Sequence, residues 1–235
     1  MNAEIKYKNN IIKFYDLIET GHNIDNFIIS NQLYSRPDHN FDRLLNLIKP
    51  NSIIYDIGAY IGSFSIPFAL ENMNVHAFEG YPDNFERAKK NCSLYKNIIV
   101  HLIALSNKNE TVITKFNDCT TLTPSERMIT YVIFDEYLKD NYIPEPDLIK
   151  MDIEGMETLA LFGMKNLIEN VKPIWQIGYH IGLDIKYDGY PGFVNVENGG
   201  FDFNMFKNLG YKIYNEQNME VQRFTAWGEY LCIPQ

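Results

Sequence analysis

Lys150, Asp152 and Glu154 alternate along KMDIEG, and His180 ends the next apolar run, KPIWQIGYH. If both runs are strands, alternation puts the three charged residues on one face or rim, and Gln176, Gly178 and His180 on one face of the neighbour. Three charges on one side of a central strand are costly unless they reach a cleft. An imidazole beside a carboxylate at such a cleft can do two kinds of chemistry. His180 can take the proton of a weak oxygen nucleophile while Asp152 orients the hydroxyl, a step worth about 10² to 10⁴ in rate. Alternatively, Asp152 and His180 can be two ligands of a divalent ion, Mg, Mn or Fe, with the third ligand not identifiable. The metal-free base is the expectation. Lys150 and Glu154 are candidates for substrate contact, Glu154 also for capping the next helix, and Glu157 is expected to be a solvated first-turn acid.

A second constellation lies upstream. In IYDIGAYIG an apolar run ends in Asp56, followed by Gly58 and Gly62, and Glu79 follows twenty-three residues after Asp56. Gly58 permits a tight turn, Gly62 lets a ligand approach the backbone, and a helix N-terminus there offers free N–H groups. Asp56 would repel a pyrophosphate and suits a cationic or hydroxyl-bearing ligand. Glu79, ending the second strand, is placed to accept hydrogen bonds from ribose hydroxyls.

Alternating elements must position these groups. From residue 52, short β-rich runs (SIIYDI, NVHAFE, NIIVHLIAL, DLIKMDI, KPIWQIGYH) alternate with helical stretches (63–71, PDNFERAKKNCSLY, ETLALFGMKNLIEN). That pattern predicts βαβ units and a mostly parallel sheet covered on both faces. Pro67 would fall in the first turn of its helix, where amide donors lack partners anyway. Residues 1–48 show helical spacing broken at Gly21 and at SRPDH, which predicts a helical lead-in. Residues 181–201 form a long Gly/Tyr-rich loop, and Tyr179, Tyr187, Tyr190 and Phe193 around it are candidates to pack on a substrate.

The blocks DIGAYIG, VHAFEGYPDNFERAKKN, DLIKMDIEGMETLALFGMKNL and KPIWQIGYH together resemble the FkbM family of S-adenosylmethionine-dependent O-methyltransferases, from about residue 42 to 215. Members show a D-x-G-A-N-x-G turn, an A-F-E-P segment and a K-x-D-x-E-G-x-E block. Here these stand as Asp56, Gly58, Ala59 and Gly62, then Ala77, Phe78 and Glu79, then Lys150, Asp152, Glu154, Gly155 and Glu157. Tyr60 replaces the usual Asn, Gly80 the usual Pro, and Gly178 a Glu often found two residues before the His. The resemblance implies an α/β, Rossmann-like class I methyltransferase sheet of seven mostly parallel strands with the last antiparallel. YKIYN and WGEYLCI would supply its final hairpin, over 49–235, with 1–48 as an extension packed on that core. It implies S-adenosylmethionine as cofactor, with Asp56 near its amino acid and sulfonium end, Gly58, Ala59 and Gly62 in the turn, Glu79 on the ribose diol, and Ala104, Leu105 and Ser106 at the adenine. The implied substrate is a sugar hydroxyl of a nucleotide sugar or glycan precursor.

Composition narrows the field. With 21 Lys and Arg against 30 Asp and Glu, the net charge of −9 repels a nucleic-acid backbone. The three cysteines, Cys92, Cys119 and Cys232, form no CxxC pair and suit buried thiols in a reducing compartment. No run approaches membrane-spanning length and the N-terminus lacks an apolar targeting core, so a cytoplasmic protein is expected. Homo-oligomerisation is left open. His22, His39, His76 and His101 are assigned no role. The rivals are an NAD-dependent oxidoreductase, disfavoured because the turn lacks G-x-G-x-x-G, a methyltransferase on a non-sugar metabolite, and a non-catalytic nucleoside-binding module.

Overall fold

The computed structural model describes residues 1–18, 23–30, 41–116, 125–180, 204–222 and 228–235. Tyr187, Tyr190 and Phe193 lie outside them, as do His22 and His39.

The chain opens on strands rather than the expected helices. β1 (Ala3–Tyr7) and β2 (Asn10–Phe14) pair antiparallel, Ile5 opposite Ile12, before α1 (Asn23–Ile29) and α2 (Phe41–Leu45). In YKNNI the chain reverses at Lys8, which takes a left-handed φ of 51°. Alternation then puts Ile5, Ile12 and Phe14 on one face, where they are buried with Leu17, Ile28, Tyr60 and Ile61. Ala3, Ile5 and Tyr7 on one strand, and Ile12 and Phe14 on the other, stand at period-two spacing, which marks a half-buried hairpin.

β3 (Ile53–Ile57), α3 (Ser65–Leu70), β4 (Asn74–Glu79), α4 (Pro82–Cys92) and β5 (Ile98–Leu102) follow as parallel βαβ units, with Pro67 in the first turn of α3 as expected. β6 (Ala104–Ser106), β7 (Glu110–Phe116) and β8 (Ser125–Ile133) form a small separate sheet, and α5 (Phe134–Asp140) leads back. β9 (Leu148–Met151), α6 (Glu157–Phe162), β10 (Ile174–Tyr179), α7 (Asn204–Asn208), β11 (Tyr211–Tyr214), β12 (Glu220–Val221) and β13 (Gly228–Pro234) complete the chain.

The main sheet has the order β12-β11-β13-β10-β9-β3-β4-β5. β13 lies antiparallel between β10 and β11, as a class I methyltransferase sheet requires. Among the described residues the count is eight rather than seven, because the two-residue β12 adds an edge beyond β11. Alternation sends Tyr55, Ile57, Ile149, Met151, Trp175 and Ile177 to one face, under α5, α6 and α7. Ile54, Leu148 and Leu231 go to the other, under α2 and α3. The chain leaves β3 for β4 and β5 on one side and returns to β9 and β10 on the other. Strand order therefore reverses at the carboxyl end of β3, where such sheets bind ligands.

Away from that edge, His76 on β4 and His101 on β5 stack at 5.3 Å with ring nitrogens 3.1 Å apart, and His101 reaches the Tyr137 hydroxyl at 3.3 Å. Burial, and His76 beside it, push His101 down to about 4; burial lowers His76 too. Both are neutral in the fold but bind protons in the unfolded chain near 6.5, so their stabilisation is complete above about pH 6.5 and is lost as pH falls towards 4. His101 is partly exposed, so the loss should be about 1–2 kcal/mol after solvent screening. Thermal unfolding between pH 7 and 4 should show His101→Phe, which keeps the stack on Phe78, losing less stability than wild type.

Candidate functional site

The segment after β3 turns through three left-handed residues, Gly58 (φ 79°), Tyr60 (φ 54°) and Gly62 (φ 81°). Both glycines are required by neighbouring chain. A Cβ on Gly58 would stand 2.0 Å from the Asp152 carbonyl oxygen, and one on Gly62 would stand 2.5 Å from Cys92 Sγ. On the side where a Cβ would stand, Gly62 is thus packed against α4. Ala59, between them, is buried, and the N–H groups of Gly58 and Ala59 both bond the Phe78 carbonyl. Tyr60 has no such steric freedom, and the left-handed conformation costs an L-residue roughly 1–2 kcal/mol.

Asp56 does not face open space. It is fully buried, accepts a 2.6 Å hydrogen bond from Ser65 Oγ, and pairs at 3.3 Å with Lys150 Nζ, which also donates to the Gly58 carbonyl at 3.1 Å. Asp56 and Lys150 are register partners on β3 and β9, so the pairing follows directly from strand order. Lys150, a candidate for substrate contact, is instead 7% exposed and braces the turn from beneath.

Glu79 is buried at the end of β4 and accepts the N–H of Tyr60 at 2.8 Å and of Tyr81 at 2.9 Å. Burial pushes its carboxyl up to about 7 against the pull of those two bonds. Each oxygen keeps a further acceptor direction for a hydroxyl donor. Ala104, Leu105 and Ser106 form β6; a Cβ on Gly80 would lie 2.8 Å from Ala104 Cβ, so this segment packs directly against the residue following Glu79. Leu105 and Ser106 are buried, Leu105 within the core.

Across the same edge stand Asp152, Glu154 and His180. One ligand atom from each falls within 4.8 Å of the others, which supplies the third candidate ligand that spacing had not identified. His180 Nε2 lies 3.7 Å from Asp152 Oδ1, and its Nδ1 lies 3.1 Å from Glu157 Oε1. Glu157 is not a solvated acid: it is 1% exposed and reaches back to accept the N–H groups of Ile153 at 3.0 Å and Gly155 at 3.1 Å. This does for the start of α6 what Glu154 was expected to do. Glu154 (φ 54°) and Gly155 (φ 100°) instead form the left-handed turn that sets Glu154 beside Asp152. The signal was present in EGME: an acid in the first helical turn can reach back to free N–H groups before it. Burial disfavours the imidazolium of His180, but the Glu157 hydrogen bond and the charges of Glu157, Asp152 and Glu154 outweigh it and push His180 up to about 9.

One further correction follows from alternation on β10, and one placement from its pairing with β13. Tyr179 points away from Gly178 and His180, is 2% exposed in the core, and lies 3.4 Å from Thr158 Oγ1. It is not a surface for substrate. At Gly178, opposite Glu229 on β13, a Cβ would meet Glu229 Oε1 at 3.0 Å and Asp152 Cγ at 3.2 Å. The neighbouring strand therefore places a carboxylate over position 178, held by Gln176 Nε2 at 3.2 Å. Strand pairing across 51 residues hid it from spacing.

Residues 56–213 match the family model described as "Methyltransferase FkbM domain". The chain is 27% identical over 150 residues to the hexuronic acid methyltransferase AglP of Haloferax volcanii, covering 61% of this chain and 62% of that protein. It is 28% identical over 137 residues to a tRNA (guanine(37)-N(1))-methyltransferase of Xenopus tropicalis, covering 56% of this chain and 24% of that one. The chain thus spans less than two thirds of either relative. The crystal structure of methyltransferase FkbM from Methylobacillus flagellatus superposes with a TM-score of 0.48 at 17% identity, over 89% of this chain and 52% of that one.

Proposed function

Because the chain belongs to the FkbM methyltransferase family, we propose that it transfers the methyl group of S-adenosylmethionine to a sugar hydroxyl of a nucleotide sugar or glycan precursor. The contact between Gly58 and the Asp152 carbonyl carries this proposal, since it sets the donor turn and the Asp152–Glu154–His180 cluster side by side. In the donor half, Glu79 takes the ribose hydroxyls, β6 flanks the adenine, and Asp56 acts through the turn that Lys150 braces. In the acceptor half, a hydroxyl oxygen attacks the methyl carbon in line, the C–S electron pair returns to sulfur, and S-adenosylhomocysteine leaves. The hydroxyl proton passes to the neutral imidazole of His180, the minor form below pH about 9, whose ring Glu157 orients through Nδ1 so that Nε2 faces Asp152. The choice of a sugar leans on the relative named for hexuronic acid.

The grouping of Asp152, Glu154 and His180 favours a second reading, in which these O and N donors hold a divalent ion, Mg, Mn or Fe. Such an ion would lower the pKa of a bound hydroxyl. One experiment tests both readings: incubation with S-adenosylmethionine and a panel of nucleotide sugars, with and without EDTA, read by mass spectrometry. A mass gain of one methyl that persists in EDTA supports the metal-free base; a gain abolished by EDTA and restored by one cation supports the ion. Methylation of only non-sugar metabolites overturns the substrate class, and cofactor binding without turnover on any acceptor leaves a nucleoside-binding module.

A further inference from the structure

Asp25 of α1 and Arg87 of α4 form a buried ion pair, Asp25 fully enclosed and Arg87 8% exposed. The Tyr60 hydroxyl closes the triangle, donating to Asp25 Oδ2 and accepting from Arg87 Nη1 at 3.1 Å. The guanidinium also lies over the Tyr60 ring, 5.0 Å from its centroid. One turn along α4, buried Asn91 repeats the pattern, accepting the Tyr15 N–H at 2.8 Å and donating to the Ile61 carbonyl at 2.9 Å. Two side chains on one helix thus tie the N-terminal segment to consecutive residues of the glycine turn. Around them Ile5, Ile12, Phe14, Leu17 and Ile28 pack on Tyr60 and Ile61.

Tyr60 occupies a left-handed position that Asn or Gly tolerates far better, so its conformation must be held from outside the turn. It is held at both ends. Its hydroxyl is fixed by Asp25 and Arg87, and its N–H is bonded to Glu79 Oε2 at 2.8 Å. Any displacement of the side chain would move the amide that aims the Glu79 carboxylate.

We infer that Asp25, Arg87 and Tyr60 are positioning residues through which α1 of the N-terminal segment sets the Glu79 carboxylate, and hence the affinity for the nucleoside of S-adenosylmethionine. This rests on Glu79 taking the ribose, as proposed above. Among the described residues, the triangle's hydrogen bonds and ion pair join α1, α4 and Glu79 rather than the acceptor cluster, so it should govern cofactor binding and leave acceptor binding alone.

Calorimetric titration of S-adenosylhomocysteine tests the inference without a known acceptor. Tyr60→Phe keeps the ring and removes only the hydroxyl, and Asp25→Asn removes the charge that holds Arg87. Each should weaken binding about tenfold, close to 1.4 kcal/mol. The double variant should weaken it little more than either alone, because both cut one link. Melting temperatures measured in parallel expose a merely structural role, which would lower Tm and leave Kd unchanged. Kd within twofold of wild type for folded Tyr60→Phe overturns the inference, whether or not Asp25→Asn folds. Wild type binding S-adenosylhomocysteine while Glu79→Gln binds equally well would overturn instead the ribose role on which it rests.

Discussion

Replacing His180 by alanine is expected to lower kcat by about 10² to 10⁴-fold while leaving the affinity for S-adenosylhomocysteine within about twofold. The imidazole stands on the acceptor side, between Asp152 at 3.7 Å and Glu157 at 3.1 Å, across the sheet edge from Glu79. Its loss removes the proton acceptor, or one of three ligand atoms, without touching the turn that would hold the donor. Glu157→Gln separates orientation from packing. The amide keeps the size of the side chain but presents an NH₂ to a site that receives N–H groups from Ile153, Gly155 and His180. It should cost about 10 to 100-fold in kcat, as loss of an orienting partner does elsewhere. Single-turnover methylation with the acceptor found by the panel, beside calorimetry of cofactor binding, checks both. Full activity in a folded His180→Ala enzyme would sink the proposed role.

How far such a site is legible in sequence depends on which interactions build it. The parallel sheet, its antiparallel final strand and the glycine turn are local: alternation, glycine spacing and strand-end acids specify them, and Glu79 and His180 stand where these rules put them. Contacts between strands distant in sequence were not legible. That Lys150 turns beneath Gly58 to meet Asp56 follows only once β9 is known to lie beside β3 in register. Likewise Glu229 reaches the acceptor side only because β13 runs antiparallel beside β10. Tyr179 was misplaced for a different reason. A tyrosine next to a loop reads as exposed, but period-two alternation with His180 assigns it to the core face, and the period was the better guide. At the N-terminus the reverse competition occurred: residues compatible with helical spacing formed a hairpin, because a reversal at Lys8 lets Ile5, Ile12 and Phe14 cover Ile61. Tertiary burial there overrode local spacing.

The pairing beneath the turn carries the second large expectation: Lys150→Met should destabilise the fold by about 3–5 kcal/mol, because it strands a buried carboxylate. Asp56 is fully enclosed, and Ser65 satisfies only one of its oxygens. Burial works against a charged Lys150, yet Asp56 first, and then Asp152 and Glu229, raise its pKa, so the ammonium persists in the fold. Methionine fills a similar volume beside Phe64, over which the ammonium now sits at 5.6 Å, so the loss reports the charge more than the packing. For a chain of this size the melting temperature should fall by about 10 °C. The double variant Lys150→Met with Asp56→Asn should recover much of that loss, since no unpaired charge remains, while the Gly58 carbonyl still lacks its donor. Cofactor affinity should therefore stay reduced in the double variant although its stability returns. Had Lys150 been a substrate contact at an open cleft, the single variant would melt like wild type and raise only the KM of the acceptor. Thermal unfolding and calorimetry on the two proteins distinguish these outcomes before any acceptor is known.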